Sequence, residues 1–347
     1  MGSRRLPKAY NTSTYDSAGG KDYSSLALWE AATDNDLVAA AAGEVLECYR
    51  GAHDDPSGLS ISGAVTSGDY FRVIRPAPGH GHTGIPVSDG SCVEFHNSDF
   101  SQYMFLLGEE HAALHDLVLK GTPTTDNQTY VVRLGATETA VIGCLIHDSS
   151  NHGASYINGI IAWLADADSR CHVVNTLITG MDRDGVDTWI GEVRLLNCTI
   201  ADNGRYGVAQ MFGAGVAKNC AVTGNAVQDY NGTWAITTCT PEGASPAYTD
   251  PAGDNYLLLG SDTICLDRGT DLSADPVYPF DDDILGSTRA APWDIGFNEL
   301  LFIPDIFSGR LTVSVSANSP GIAFDARAPK CTFSGRAPGI TFALNDD

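Results

Sequence analysis

Apolar and polar positions alternate in short runs along most of the chain, and the runs repeat. Val174-Asn175-Thr-Leu-Ile178, Leu196-Asn197-Cys-Thr-Ile200 and Lys218-Asn219-Cys-Ala-Val222 are one phrase set 22 residues apart. Gly143-Cys-Leu-Ile146 and Asp116-Leu-Val-Leu119 fit the same phrase with longer loops between. Self-similarity at a fixed period of about 20–50 residues marks a solenoid, and this period suits one coil of a parallel β-helix. Residues two apart on a strand share a face. Coils stacked about 4.8 Å apart then place Cys144, Thr176, Cys198 and Cys220 in one inward column and Ile146, Ile178, Ile200 and Val222 in the next. Asn175, Asn197 and Asn219 fall at the bend before the strand, where a side-chain amide can bond the next coil. Gly153, Gly185 and Gly207 stand seven residues after the aliphatic anchor, an offset suited to positive φ.

Outside the ladder the pattern changes character. Residues 1–22 are polar and mixed and read as an extended arm. Leu26, Trp29, Leu37 and Val38 among alanines predict one or two amphipathic helices. These make a cap over 23–45, shielding the unpaired edge of the first coil. The β-helix is expected over 46–300, closing in a polar stretch with Asp281-Asp-Asp283, Arg289 and Trp293-Asp-Ile-Gly296. Trp293 would lid the last coil. In 301–347, Pro320-Gly-Ile-Ala-Phe324, Pro329-Lys-Cys-Thr-Phe333 and Pro338-Gly-Ile-Thr-Phe342 recur every nine residues. Such alternation with regular breaks predicts short strands joined by tight turns. A sheet that small is hard to stabilise alone, so this C-terminal β-domain is expected to dock or oligomerise. The expected class is all-β.

Charge narrows the partners. With 20 Lys plus Arg against 43 Asp plus Glu, the net charge is −23, which repels phosphates and argues against a nucleic-acid partner. Nine cysteines are scattered without a CxxC pair and read as buried small hydrophobes. No apolar run approaches a membrane span, and Met-Gly-Ser-Arg-Arg at the start is followed by no apolar signal-peptide region. Synthesis in a reducing cytoplasm is expected.

The candidate chemistry sits in Met181-Asp-Arg-Asp-Gly-Val-Asp-Thr-Trp189. In the ladder frame His152, Asp184 and Tyr206 share one offset and Arg183 and Arg205 the preceding one, with Asp148 and Asp202 on neighbouring coils. Asp182, Asp184 and Asp187 could hydrolyse a glycosidic bond as paired carboxylates, or hold Ca²⁺ while an arginine abstracts a proton. A binding site without turnover would use His152, Arg183, Asp184, Arg205, Trp189 and Tyr206, the last two stacking on sugar rings. Asp, Asn and Gly are also what turns use. The Asn-x-Asp, Asp-Asp and Gly-His-Gly phrases of polygalacturonase-like hydrolases do not appear in their usual order. No catalytic set and no metal site are therefore expected, and Ca²⁺ is the one cofactor with any footing. Gly79-His-Gly-His82 lies in a Pro/Gly loop and is a weak metal signal. Asp281-Asp-Asp283 lacks a spaced series of Ca²⁺ ligands. No phosphate loop, dinucleotide fingerprint or serine elbow occurs in a credible context.

The start at Tyr23-Ser-Ser-Leu-Ala-Leu-Trp29-Glu, the Trp293-Asp-Ile-Gly296 phrase, and the Ser308-Gly-Arg310 and Ser334-Gly-Arg-Ala-Pro338 repeats resemble the right-handed parallel β-helix proteins of tailed bacteriophages. The resemblance covers nearly the whole chain and implies a virion structural protein, either a capsid decoration or a tail-spike-like appendage. It implies capsid or tail proteins as partners, homo-oligomers of which a trimer is one form, cell-surface glycans as ligands, and release by lysis of the host. The alternative within the same family is a tail-spike-type polysaccharide lyase or glycoside hydrolase. The chain is short for a tail spike and departs from the depolymerase pattern, which favours a non-enzymatic role.

Overall fold

The computed structural model describes residues 4–55, 58–86, 90–97, 102–122, 128–147 and 156–300. The chain divides into two units, Met1–Leu300 and Leu301–Asp347. The nine-residue repeats, and the docking role expected of them, lie outside the described residues.

The 22-residue phrase builds a right-handed parallel β-helix of three sheets. Sheet 1 has nine strands: Tyr10–Tyr15, Gly43–Cys48, Arg72–Pro76, Ala113–His115, Ala140–Ile142, Arg170–Val174, Glu192–Leu196, Ala214–Lys218 and Trp234–Thr237. Sheet 2 has seven: Gly51–His53, Val93–Asn97, Val118–Gly121, Leu145–His147, Leu177–Thr179, Thr199–Ala201 and Ala221–Thr223. Sheet 3 also has seven: Leu59–Ile61, Tyr103–Leu107, Gln128–Leu134, Tyr156–Trp163, Val186–Ile190, Tyr206–Gln210 and Gln228–Asn231. Val118, Leu145, Leu177, Thr199 and Ala221 stand side by side, so coils of unequal length share one register. Ile146, Ile178, Ile200 and Val222 point into the core, as do Cys144, Cys198 and Cys220. The cysteine Sγ atoms lie against backbone carbonyls, Cys198 on Val173 O and Cys220 on Leu195 O at 3.3 Å each. The eight cysteines among the described residues are free thiols.

The bend between sheets 1 and 2 is a column of left-handed residues. Asp116, Gly143, Asn175, Asn197 and Asn219 have φ of +56°, +64°, +48°, +50° and +53°. Asn, Asp and Gly are the residues that tolerate this conformation, which is why all three appear at one offset of the repeat. The glycines serve a different purpose from the one expected. Gly185 and Gly207 are not left-handed. A Cβ on Gly185 would lie 2.6 Å from Gly207 O, and one on Gly207 would lie 2.8 Å from Asp229 O, so close approach of successive coils requires glycine there. Gly159 continues this column, whereas Gly153 lies outside the described residues.

The first rung, Tyr10–Tyr15, falls within the stretch expected to be an arm and pairs in parallel with Gly43–Cys48. Two short helices follow, α1 (Leu26–Thr33) and α2 (Leu37–Ala40), capped by the side chains of Ser25 and Asp36. Leu26 and Trp29 of α1 join the core cluster at this end, together with Tyr15, Leu46 and Ile61. Arg72, fully buried, ties the helix down. It donates to Glu109 Oε1 at 2.6 Å, to Glu30 O at 3.1 Å and to Ser62 O at 3.2 Å.

Trp293 does not lid the last coil. After the final rung at Thr237 the chain forms an antiparallel pair, Tyr248–Asp250 with Asn255–Leu258, and then folds back along the side of the solenoid. Tyr256, Leu258, Ile284, Ile295 and Phe297 cover the outward face of sheet 2 at Val118, Leu145, Leu177 and Ala221. Tyr278, Phe280 and Trp293 cover the outward face of sheet 1 at Val73, Ala140, Val174 and Leu196. Each large apolar side chain buried this way stabilises by about 1.5–3 kcal/mol. The driving force is that both faces carry apolar residues outward as well as inward. The asparagine column receives the returning chain. Asn175 Nδ2 donates to Asp282 O at 2.8 Å, Asn219 Nδ2 to Thr270 O at 2.7 Å, and Arg289 to Asn175 Oδ1 at 3.0 Å. A coil-to-coil amide bond also runs from Asn219 Nδ2 to Asn197 Oδ1 at 3.3 Å.

Candidate functional site

The apolar clusters put the back-folded segment on sheets 1 and 2 and, among the described residues, none of it on sheet 3. On the outward side of sheet 3, Ile161, Asp187 and Ala209 are buried in mid-strand, and the exposed side chains Trp163, Ile190, Met211 and Phe212 gather at the strand ends that lead back to sheet 1. The repeat delivers most of the sequence-predicted residues to this sheet. Arg205 N donates to Arg183 O at 2.8 Å and Gly185 N to Tyr206 O at 2.9 Å, so Arg183 and Arg205 stack in one column and Asp184 and Tyr206 lie side by side in the next.

Asp184 is fully buried and saturated. Arg205 grips both carboxylate oxygens, through Nε at 2.7 Å to Oδ1 and through a second, shorter bond to Oδ2. Tyr206 N donates to Oδ1 at 3.2 Å, and Arg183 Nε lies 3.4 Å from Oδ2. Asp187, on the strand Val186–Ile190, is only 1 % exposed, and its Oδ1 has no hydrogen-bond partner among the described residues. Burial pushes its carboxyl up to about 7, the Asp184 charge adds to the rise, and Arg183 and Arg205 oppose it. Burial, followed by the charge on Asp187, pushes the neighbouring Tyr130 phenol up to about 12. Asp182 is half-buried on the turn before sheet 3.

Two of the expected neighbours are elsewhere or outside. Asp202 Oδ2 accepts from Tyr256 Oη at 2.6 Å, which turns this exposed side chain toward the back-folded segment. Asp148 and His152 lie outside the described residues.

The aromatic side chains form a stack along the solenoid. Trp163 and Trp189 lie 5.2 Å apart and nearly parallel, Phe212 meets Trp189 edge-on at 5.7 Å, and the Arg133 guanidinium covers Trp163 at 4.7 Å. The ring faces of Trp189 are thus taken by its neighbours, and Tyr206 carries Arg205 over its ring at 4.4 Å. Flat stacking of a sugar on Trp189, as expected from sequence, is blocked on these sides. Phe212, 78 % exposed, and the edge of Trp163, 38 % exposed, remain open, with Ile190 and Met211 beside them. Tyr130, Arg133, Trp163 and Phe212 were not legible as site residues. The loops between their coils differ in length, and a register shift at Ala162/Trp163 sets Trp163 opposite Ile190.

No group of three or more His, Cys, Asp or Glu suited to a metal occurs among the described residues. His80 and His82 point apart, His80 Nδ1 accepting from Arg50 N at 2.9 Å and His82 Nε2 facing Gly143 O at 2.6 Å. No described helix is long and apolar enough to cross a membrane.

No protein-family model matches the chain, and no curated protein matches it. Among solved structures, the chain is similar to that of pectate lyase Pel9A, with 11 % sequence identity, 84 % of this chain and 98 % of that one covered, and a TM-score of 0.44.

Proposed function

We propose that the protein is a non-enzymatic display solenoid that holds a polysaccharide against the outward side of sheet 3. The observation that carries this is the division of surfaces. The back-folded segment covers the outward faces of sheets 1 and 2, while guanidinium donors, a tyrosine and exposed aromatic edges line the margins of sheet 3. Amphipathic aromatic edges beside charged donors suit a ligand with apolar ring faces and many hydroxyls. The resemblance to tailed-phage β-helix proteins supports a place on the particle, as capsid decoration or tail appendage, with 301–347 as attachment or oligomerisation unit. Mass spectrometry of purified particles should find the chain in stoichiometric amount. A glycan panel should show retention without new reducing ends. Absence from particles, or no glycan retained, would overturn the corresponding half.

One observation favours a second reading, a polysaccharide depolymerase. A buried carboxyl raised to about 7 beside a second carboxylate is how acid catalysts are tuned. Against it, both Asp184 oxygens are engaged by Arg205, which removes the partner needed as base or nucleophile. Release of reducing ends or unsaturated products, abolished by Asp187→Asn, would establish this reading in place of the first.

A further inference from the structure

Two cavities lie under the back-folded segment, and histidines line both. One is bounded by Arg4, Pro76, His82, Asp116, Ile284 and Leu285. His82 Nδ1 accepts from Gly84 N at 3.1 Å and its Nε2 donates to Gly143 O at 2.6 Å. That pair of bonds requires the neutral ring with its proton on Nε2. Gly84 in turn abuts Leu257 and Leu285 of the returning chain. A proton on Nδ1 would set two N–H groups against each other at this contact.

The second cavity is bounded by Arg5, His111, His115, Glu138, Tyr278 and the apolar outward side chains of sheet 1. His115 is buried with Nε2 unpartnered among the described residues, and the charges facing it are Arg4 and Arg75. His111 faces Glu138, Glu110, Arg5 and His172. His172 alone has a carboxylate partner, Glu138 Oε2 at 3.1 Å, and its ring lies 5.0 Å from Tyr278. A cation at His115 would meet Arg4 and Arg75 and apolar chain, whereas His111 has Glu138 and Glu110 and His82 has Asp116 to offset part of the burial cost.

We propose that segment 271–298 is an acid-sensitive strap. Protonation of His82, His111 and His115 lifts it from the outward faces of sheets 1 and 2 while the rungs beneath stay paired. The rungs are held by backbone ladder bonds in which these imidazoles take no part. Burial is the leading cause lowering all three histidines, with His115 down to about 3. A base whose folded pKa lies below its usual 6.5 contributes stability that is present above that value and lost as pH falls toward the folded value. Asp294 and Glu299 beside Arg289 run the other way, since burial raises both carboxyls, while Asp275 beside Lys218 and Glu138 beside His172 are lowered and add to the loss in acid. Variants are therefore needed to separate the two trends.

The test is hydrogen exchange on the full chain at about pH 7 and pH 4, corrected for intrinsic rates, alongside far-ultraviolet circular dichroism and binding of a hydrophobic dye. In acid, amides of 271–298 should exchange at least about tenfold faster and dye binding should rise, with the β signal unchanged. The triple variant His82→Gln, His111→Gln, His115→Gln should open at a pH at least about one unit lower than wild type. If that variant fails to fold, His82→Asn alone should shift opening to lower pH. Unchanged protection in acid, simultaneous loss of strap and rungs, or variants opening at the wild-type pH would each overturn the proposal.

Discussion

Asn197 shows how one residue type can serve backbone and side chain together. Its φ of +50° is a conformation that costs an ordinary residue about 1–2 kcal/mol, and its amide reaches Asp294 O and Gly296 O at 3.3 and 3.4 Å. Asn197→Ala loses both contributions and should destabilise by about 2–4 kcal/mol, whereas Asn197→Gly should recover about 1 kcal/mol of that. Urea melts of the two variants decide it. The column was legible because Asn, Asp and Gly share an offset. Its true partner was not, since the amides bind a segment that returns from far along the chain. Asp187 carries the clearest pH signature of a single residue. Its carboxyl rises from 3.8 to about 7 on folding, so the associated stability is complete below about pH 4 and is lost as pH climbs through 7, on the order of 4 kcal/mol. Asp187→Asn should flatten the difference between melts at about pH 5 and pH 8 relative to wild type.

Among the elements, the rungs could be read from spacing, and exceptions have physical causes. Tyr10–Tyr15 carries no copy of the asparagine phrase, so nothing in its sequence ties it to sheet 1. The apolar residues of the returning segment, Tyr278, Phe280, Trp293 and Phe297, follow no period because they pack on two different sheets. Helix α1 is held at the open end by Arg72 and Glu109, a buried ion pair. Arg72→Met should destabilise by about 3–5 kcal/mol by leaving Glu109 buried and unpaired, and adding Glu109→Leu should restore most of the loss. Denaturant titration of the single and double variants checks both. On sheet 3, Phe212 packs little and protrudes far. Phe212→Ser should change stability by less than about 0.5 kcal/mol yet reduce glycan retention, which affinity electrophoresis would measure.

Taken whole, the molecule varies the length of its turns on both sides of sheet 3 and keeps one bend constant from His115 onward. Sheet 1 passes to sheet 2 by the same short bend in every coil from His115–Val118 to Lys218–Ala221, whereas the earlier passage from Pro76 to Val93 is a long loop. The turns on either side of sheet 3 differ from coil to coil, from Ile190–Glu192 to Trp163–Arg170 on one side and from Ala201–Tyr206 to Thr179–Val186 on the other. The invariant bend is the one clasped by the returning chain, where any added residue would displace the asparagine amides from their carbonyls. Two residues inserted between Asn197 and Cys198 should abolish cooperative folding. The same insertion between Ala165 and Asp166, both exposed in the turn from Trp163 to Arg170, should cost about 1 kcal/mol or less, as thermal melts would show. The architecture therefore separates inheritance from novelty. A lineage can rewrite the loops that border sheet 3, and with them what its margins recognise, while the asparagine corner keeps the rungs from Ala113 onward in step.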